Sequence, residues 1–167
     1  MTYVSSKKDI NGRFEEALQQ IESITEVFTE QDLAKQLGIQ YVRFAISDHY
    51  RPSDQVVDQI VSFAEKYLKP KTDYIVHVHC RGGSGRTTTI KVLWDMILNG
   101  KDVSKEDVFV RQVALGGKDL RIIKQKDPIQ DKAALERREF IDRFYEYVRA
   151  SDGLGVQPWS SWIKKSA

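Results

Sequence analysis

Apolar positions in this 167-residue chain recur mostly at helical spacing. Phe14, Ala17, Leu18, Ile21, Ile24 and Phe28 share one stripe and predict a surface helix with a solvated acidic face. Thr29 followed by Asp32 has the form of a capping box and predicts a short second helix, closed by Gly38. Val56, Val57, Ile60, Phe63, Ala64 and Tyr67 predict a helix that Ser53 caps and Lys69-Pro70-Lys71 stops. Apolar residues at 90, 93, 94, 97 and 98 give the buried face of a helix over Arg86 to Leu98. Ser104 with Asp107 starts another, running to Gly116-Gly117. A long helix over 129–150 turns Ala133, Ala134, Ile141, Phe144, Tyr145 and Val148 inward.

Two stretches break this rhythm. Tyr41 to Ile46 and Tyr74 to His79 are short, and the second is rich in β-branched residues and apolar almost throughout, as in a strand buried on both faces. With the helix between them they predict a strand-helix-strand crossover and hence a parallel pair. The expected fold class is α/β: a small, mostly parallel central sheet flanked by helices, with the site at the carboxyl end of the central strand. Residues 1–12 are polar and end in the turn signal Asn11-Gly12; they are expected to be flexible, with room for an edge strand at Thr2 to Val4. Residues 118–128 have no clean period and read as a loop, and a tail over 151–167 with two tryptophans is expected to pack back on the body. Length and the absence of repeats predict one domain over 1–167.

Charge changes the picture more than composition does. The formal net charge is only +2, yet it is unevenly spread: −3 over residues 1–80, +5 over 81–126 and zero over 127–167. The positive surplus begins at the glycine-rich stretch after Tyr74, where an anionic ligand would want it. A single cysteine excludes an internal disulfide framework. No apolar run approaches the roughly 20 residues of a membrane span, so a soluble protein is expected, cytoplasmic or, after loss of a signal peptide, periplasmic or secreted. No His/Asp/Glu cluster has metal-ligand spacing, and no cofactor is expected. The expected partner is a small polyanionic phosphate, with no nucleic acid, no membrane and a monomeric state.

The chemistry concentrates in Tyr74 to Thr89, YIVHVHCRGGSGRTTT, which holds the only cysteine. A lone cysteine is ordinarily a small buried hydrophobe. Here a strand precedes it, three glycines follow, and Arg86 and Thr87 open a helix. Backbone N–H groups in such a loop and a helix N-terminus converge on an anion. The same donors stabilise a thiolate, so Cys80 reads as a nucleophile in a phosphate-binding loop. Arsenate-reductase-like or sulfur-transferase-like use of the thiol would keep the same loop. A redox role lacks a second cysteine to resolve the oxidised one.

His79-Cys80-Arg81-Gly82-Gly83-Ser84-Gly85-Arg86-Thr87 resembles the signature of the protein tyrosine phosphatase superfamily. Ser47-Asp48-His49, Gly116-Gly117 after Arg111-Gln112, and Pro158-Trp159-Ser160-Ser161-Trp162 are similar to bacterial phosphatase-like phytases, the myo-inositol polyphosphate phosphatases. The resemblance covers roughly residues 30–165 and implies a core like that of dual-specificity phosphatases and a metal-independent phosphoric monoester hydrolase. Cys80 would form a cysteinyl-phosphate, Arg86 would hold two phosphate oxygens, and Thr87 would hydrogen-bond the sulfur. Arg81, Gly82, Gly83, Ser84 and Gly85 would cradle the phosphate through their N–H groups, and His79 would organise the loop from beneath. Asp48, 32 residues before the cysteine, is the expected general acid; Asp54 competes but is explained by capping with Ser53. His49, Lys118, Arg121, Lys124 and Lys126 are the expected substrate rim.

The leading expectation is an inositol polyphosphate phosphatase acting on phytate-like substrates. A tyrosine or dual-specificity protein phosphatase is the alternative, favoured if the pocket is deep and aromatic. A module that binds an anion without turning it over is the third reading, and Cys80, Arg86 and Asp48 together speak against it. Arg81 departs from the acidic or small residue known after the cysteine in the phytase branch. The N-terminal portion leaves no room for the extra small β-domain of longer relatives. Both departures weigh on phytate itself as the substrate.

Overall fold

The computed structural model describes residues 2–8, 14–20, 25–69, 73–124, 127–150 and 157–165. They fall in two compact units, Met1–Arg43 and Phe44–Ala167. The first contains strands β1 (Thr2–Lys8) and β2 (Phe14–Gln20), paired antiparallel with Thr2 opposite Gln20 and Lys8 opposite Phe14. The expected helix over Phe14 to Phe28 is therefore not formed at 14–20. Pairing with β1 overrides the helical spacing there, and β1 runs four residues beyond the expected Thr2 to Val4. Helix α1 (Glu30–Gln36) follows with its capping box complete: the Asp32 N–H donates to Thr29 Oγ1 at 3.1 Å, and the Thr29 N–H to Asp32 Oδ2 at 3.3 Å. Gly38, at φ 68°, takes the left-handed conformation that ends it.

The second unit is built from helices. Helix α2 (Asp54–Phe63) runs into a π-helical turn (Ala64–Leu68) and is followed by α3 (Gly85–Asn99), α4 (Lys105–Ala114), α5 (Pro128–Ala150) and α6 (Trp159–Lys165). Val57, Ile60, Val92, Leu93, Met96, Val108, Ile141 and Phe144 are fully or almost fully buried between them. Trp159 seats α6 in an aromatic cluster with Phe140, Phe144 and Tyr147, at ring separations of 5.5–5.7 Å. Ser104 caps α4 as expected, accepting from the Asp107 N–H at 3.1 Å. Ser53 precedes α2 but makes no side-chain cap bond.

The central parallel sheet is the expectation that the structure overturns. Among the described residues the one sheet is the β1–β2 hairpin. Residues 39–47 and 73–80 have no regular secondary structure and join no ladder. Their burial gives the reason. Phe44, Ile46, Val76 and Val78 pack against the helical core, whereas Ile75 is 98% exposed and Tyr74, His77 and His79 are exposed too. The β-branched residues are thus covered on one face only, by helices rather than by neighbouring strands. The loop that starts at Cys80 accordingly follows an irregular segment and not a central strand.

Asp95 ties α3 to α4. Its carboxylate accepts from Arg111 Nε at 2.8 Å, Gln112 Nε2 at 2.9 Å and Asn99 Nδ2 at 2.9 Å, with Arg111 Nη2 as a further partner. Burial alone would push this carboxyl up; the bonds from Arg111, Gln112 and Asn99 outweigh it and hold it below the usual range. Asp95→Ala leaves buried Gln112 without its partner, while Arg111 can still reach water. The expected loss is about 2 kcal/mol, the scale of hydrogen bonds to a charged group, read as a lower urea midpoint with unchanged slope. An unchanged midpoint would contradict this role.

Candidate active site

The loop that follows residues 73–79 bends because of its glycines. Gly83 sits at φ 60°, a conformation that a Cβ would strain, and its N–H turns back toward the Cys80 carbonyl at 3.4 Å. Ser84, at the N-cap of α3, makes no side-chain cap bond. The first N–H groups of this 15-residue helix are therefore not taken up by their own cap. Thr88 and Thr89 send their hydroxyls back to the Ser84 and Gly85 carbonyls, at 3.0 and 2.9 Å, and stiffen the turn. Thr87 Oγ1 is different: it is buried with no conventional hydrogen-bond partner and influences the nearby sulfur from short of formal bonding geometry.

The sulfur responds to that arrangement. Burial would raise the Cys80 pKa, but the Thr87 hydroxyl and the N–H groups of Thr87, Gly82 and Ser84 lower it to about 6. A free thiol lies near 8.5, so Cys80 is largely thiolate at neutral pH.

A cavity of about 340 Å³ opens over this loop. Cys80, Arg81, Gly82, Ser84, Gly85 and Arg86 form its floor and one wall. Asp48, His49, Lys118 and Arg137 close the others. Asp48 Oδ1 stands 3.2 Å from Arg86 Nε and accepts the His49 N–H at 3.2 Å; its Oδ2 is 3.6 Å from His49 Nε2. Arg86 Nη1 also reaches the Ile46 carbonyl at 3.5 Å. The Asp48–Arg86 contact is thus an ion pair without good hydrogen-bond alignment, since buried Arg86 Nε has no hydrogen-bond partner.

The expected site residues divide. Cys80, Arg86, Asp48, His49, Arg81, Gly82, Ser84, Gly85 and Lys118 come together at the cavity. Thr87 lies beneath it, buried, beside the sulfur. Gly83 shapes the loop without lining the cavity, and His79 is exposed, with its ring 5.3 Å from that of His77. Arg121 and Lys124 are not in the wall. Arg121 is engaged by Asp119 at 2.7 Å and by Glu106; Lys126 is outside the described residues. Asp54 faces Arg51 and Trp159 rather than the thiol.

Lys118 reaches the cavity because the Gly116-Gly117 pair brings its backbone close to α3. A Cβ on Gly117 would meet the Gln112 carbonyl at 2.6 Å and the Thr88 methyl at 3.0 Å. The Lys118 N–H donates to Thr88 Oγ1 at 2.9 Å. Burial pushes the Lys118 ammonium down, Arg137 adds to this and Asp48 opposes it.

Arg137 is the residue that sequence reasoning passed over. It lies within α5, only 3% exposed, with Nη1 donating to the His49 carbonyl at 3.0 Å and Nε buried without a partner. Burial lowers its pKa and Asp48 opposes the shift. Its sequence signal was available: Arg137 follows Ala133 and Ala134 by four and three positions and precedes Phe140 and Ile141 by three and four, on the apolar stripe of the helix.

A cysteine of lowered pKa in a glycine-rich loop at a helix start, beside four cationic side chains and a carboxylate, suits the binding of a phosphate group. The chain belongs to the PTP-like phytase family: residues 2–98 match the family model PTPlike_phytase, described as "Inositol hexakisphosphate". The PTP-like myo-inositol phosphatase from Mitsuokella multacida, solved with myo-inositol-(1,3,4,5)-tetrakisphosphate, is 34% identical, with a TM-score of 0.81 over 99% of this chain and 27% of that one. A PTP-like phytase from Bdellovibrio bacteriovorus is also 34% identical, with a TM-score of 0.72 over 89% of this chain and 54% of that one. Effector protein hopD2 of Pseudomonas syringae pv. tomato is 30% identical over 143 residues, which are 84% of this chain and 30% of hopD2. The chain therefore spans about a third or less of the length of hopD2 and of the Mitsuokella protein.

Alkylation tests the thiol directly. The rate of Cys80 modification by iodoacetamide should rise with a midpoint near pH 6, and Thr87→Val should move the midpoint upward. A parent midpoint at the free-thiol value would overturn the loop's effect on sulfur. Because the folded thiol holds its proton less tightly than the unfolded one, the thiolate contributes stability above the free-thiol value and loses it as pH falls through about 6. Cys80→Ser should remove that part of the pH dependence.

Proposed function

We propose that this chain hydrolyses phosphate monoesters of a highly phosphorylated myo-inositol through a cysteinyl-phosphate at Cys80. One observation carries the reading: a thiol held at about 6 shares its cavity with Arg81, Arg86, Lys118 and Arg137. Four cations exceed what one phosphate dianion requires and suit a ligand with several. Among the described residues the wall contains no Phe, Tyr or Trp, so the aromatic slot that a phosphotyrosine ring would fill finds no support there. The tetrakisphosphate complex of the Mitsuokella relative is consistent with the same substrate class.

The proposed chemistry uses the chain's own groups. The Cys80 thiolate attacks phosphorus while Arg86 and the loop N–H groups hold the equatorial oxygens. The bond to the inositol oxygen breaks, and that oxygen takes a proton from Asp48. Water then attacks the cysteinyl-phosphate, giving its proton to the Asp48 carboxylate. The P–S bond breaks, Thr87 receives the negative sulfur and inorganic phosphate leaves. Asp48 must enter the first step protonated.

Phosphate release from inositol hexakisphosphate, measured beside a phosphotyrosine peptide, tests the substrate class. Inositol hexakisphosphate should be turned over with the higher kcat/KM, and that value should fall steeply with added salt. Cys80→Ser should abolish turnover. Asp48→Asn should lose on the order of 10²–10⁴-fold on inositol phosphates and far less on an activated aryl phosphate, whose leaving group needs no proton. Preference for the peptide would overturn the inositol assignment; residual turnover by Cys80→Ser would overturn the covalent step.

A further inference from the structure

Helix α5 meets the Asp48 loop at two adjacent residues. Arg137 Nη1 donates to the His49 carbonyl at 3.0 Å. One position earlier, Glu136 Oε1 pairs with Arg51 Nε at 3.3 Å. Arg51 is gripped from other sides as well. Its Nη1 donates to the Pro52 carbonyl and to Asp54 Oδ1, both at 2.9 Å, and its guanidinium lies 5.5 Å from the centre of the Phe140 ring. The same Asp54 oxygen accepts from Trp159 Nε1 at 2.9 Å, so α6 joins the anchorage.

These contacts add to the Arg86–Asp48 pair, the Arg86 bond to the Ile46 carbonyl and the Tyr50 N–H bond to the Ser47 carbonyl, which hold the loop from the cavity side and within its own turn. The Asp48 side chain is 64% exposed, and burial does not fix its direction. His49 sits at φ 69°, a conformation that a residue with a Cβ adopts only when its surroundings impose it. The Arg137 bond to the His49 carbonyl falls on that strained residue. Arg51, two positions on, is where the loop is pinned to the helical body. Neither Arg51 nor Glu136 lines the cavity, so neither can touch a substrate held there.

We propose that Arg51, clamped by Glu136 and Asp54, is a positioning residue that works with the Arg137–His49 bond to hold Asp48 over the Cys80 thiol. The proposal rests on the reading of Asp48 as proton donor. Loosening the clamp would leave thiolate and phosphate loop intact but reduce the fraction of time in which a proton is on offer. The cost should therefore fall on kcat and on poor leaving groups.

The test uses the full chain with Arg51→Met and Glu136→Gln, each made alone and with Asp48→Asn. Activity is measured on an inositol polyphosphate and on an activated aryl phosphate, with thermal unfolding as a check on the fold. Arg51→Met should lower kcat on the inositol polyphosphate roughly 10-fold, within the 10²-fold that a misplacement of about 1 Å can cost. KM should be nearly unchanged, and the aryl phosphate should lose less than about 2-fold, since its leaving group needs no positioned acid. Glu136→Gln should show a smaller loss of the same selectivity. In the Asp48→Asn background both substitutions should add almost nothing, because residues acting through one group are not additive. Equal losses on both substrates, or full additivity with Asp48→Asn, would overturn the proposal. If Arg51→Met unfolds, Glu136→Gln, whose side chain is 46% exposed, decides the same cycle. If Asp48→Asn itself loses equally on both substrates, the acid assignment fails and takes the clamp with it. A failure of the clamp alone leaves the Asp48 selectivity standing.

Discussion

The contact between the Cys80 sulfur and the N–H groups of Gly82, Ser84 and Thr87 sets the terms for its surroundings, because each donor turned toward sulfur is withheld from ordinary secondary structure. The Thr87 hydroxyl is withheld in the same way, buried with no conventional partner. Ser84 leaves α3 without a side-chain cap, where capping would ordinarily contribute about 1 kcal/mol. The loop forgoes local stability to present a negative sulfur at the positive end of a helix.

The cations are the second part of that bargain. Arg81, Arg86, Lys118 and Arg137 share one cavity with Asp48 as the carboxylate in its wall. Two of them show the strain: burial lowers the pKa of Lys118 and Arg137, and each opposing contribution comes from Asp48. Asp48 is thus the counter-charge that makes the cluster tolerable. Elsewhere the same chain pairs its buried charges fully, as Asp95 does with Arg111, Gln112 and Asn99. Incomplete pairing at the cavity sets it apart from this structural network.

How far the sequence told this in advance depends on whether the signal was local. The loop and helix start over Cys80 to Thr87 were legible because the glycines and the apolar stripe that follows them lie within one short stretch. The capping box at Thr29 and the cap at Ser104 were legible for the same reason. Three things were not. Tyr41 to Ile46 and Tyr74 to His79 read as central strands since apolar runs announce burial without saying whether a helix or a strand supplies it. Phe14 to Gln20 read as helix because pairing with Thr2 to Lys8 is a non-local choice. Arg137 stayed hidden because its contact with His49 spans 88 residues. The basic run after Gly117 carried charge but no direction: Lys118 turns to the cavity, and Arg121 turns to Asp119 and Glu106.

The irregular segment before the thiol has a consequence for how the surroundings of Cys80 tolerate change. Residues 73–79 contribute no ladder, while α3 begins five residues after the sulfur and buries Thr87, Ile90, Val92, Leu93 and Trp94. Cys80 is therefore held upstream by the packing of Val76 and Val78 alone, and downstream by a helix with a deeply buried face. Substitutions at Ile75 or His77, whose side chains face outward, leave that packing untouched. Changes of volume at Leu93 or Val92, both fully buried, are transmitted along a rigid helix to its first turn. The outward face of the segment before Cys80 should accordingly tolerate substitution better than the core of α3, although that core lies farther along the chain from the sulfur.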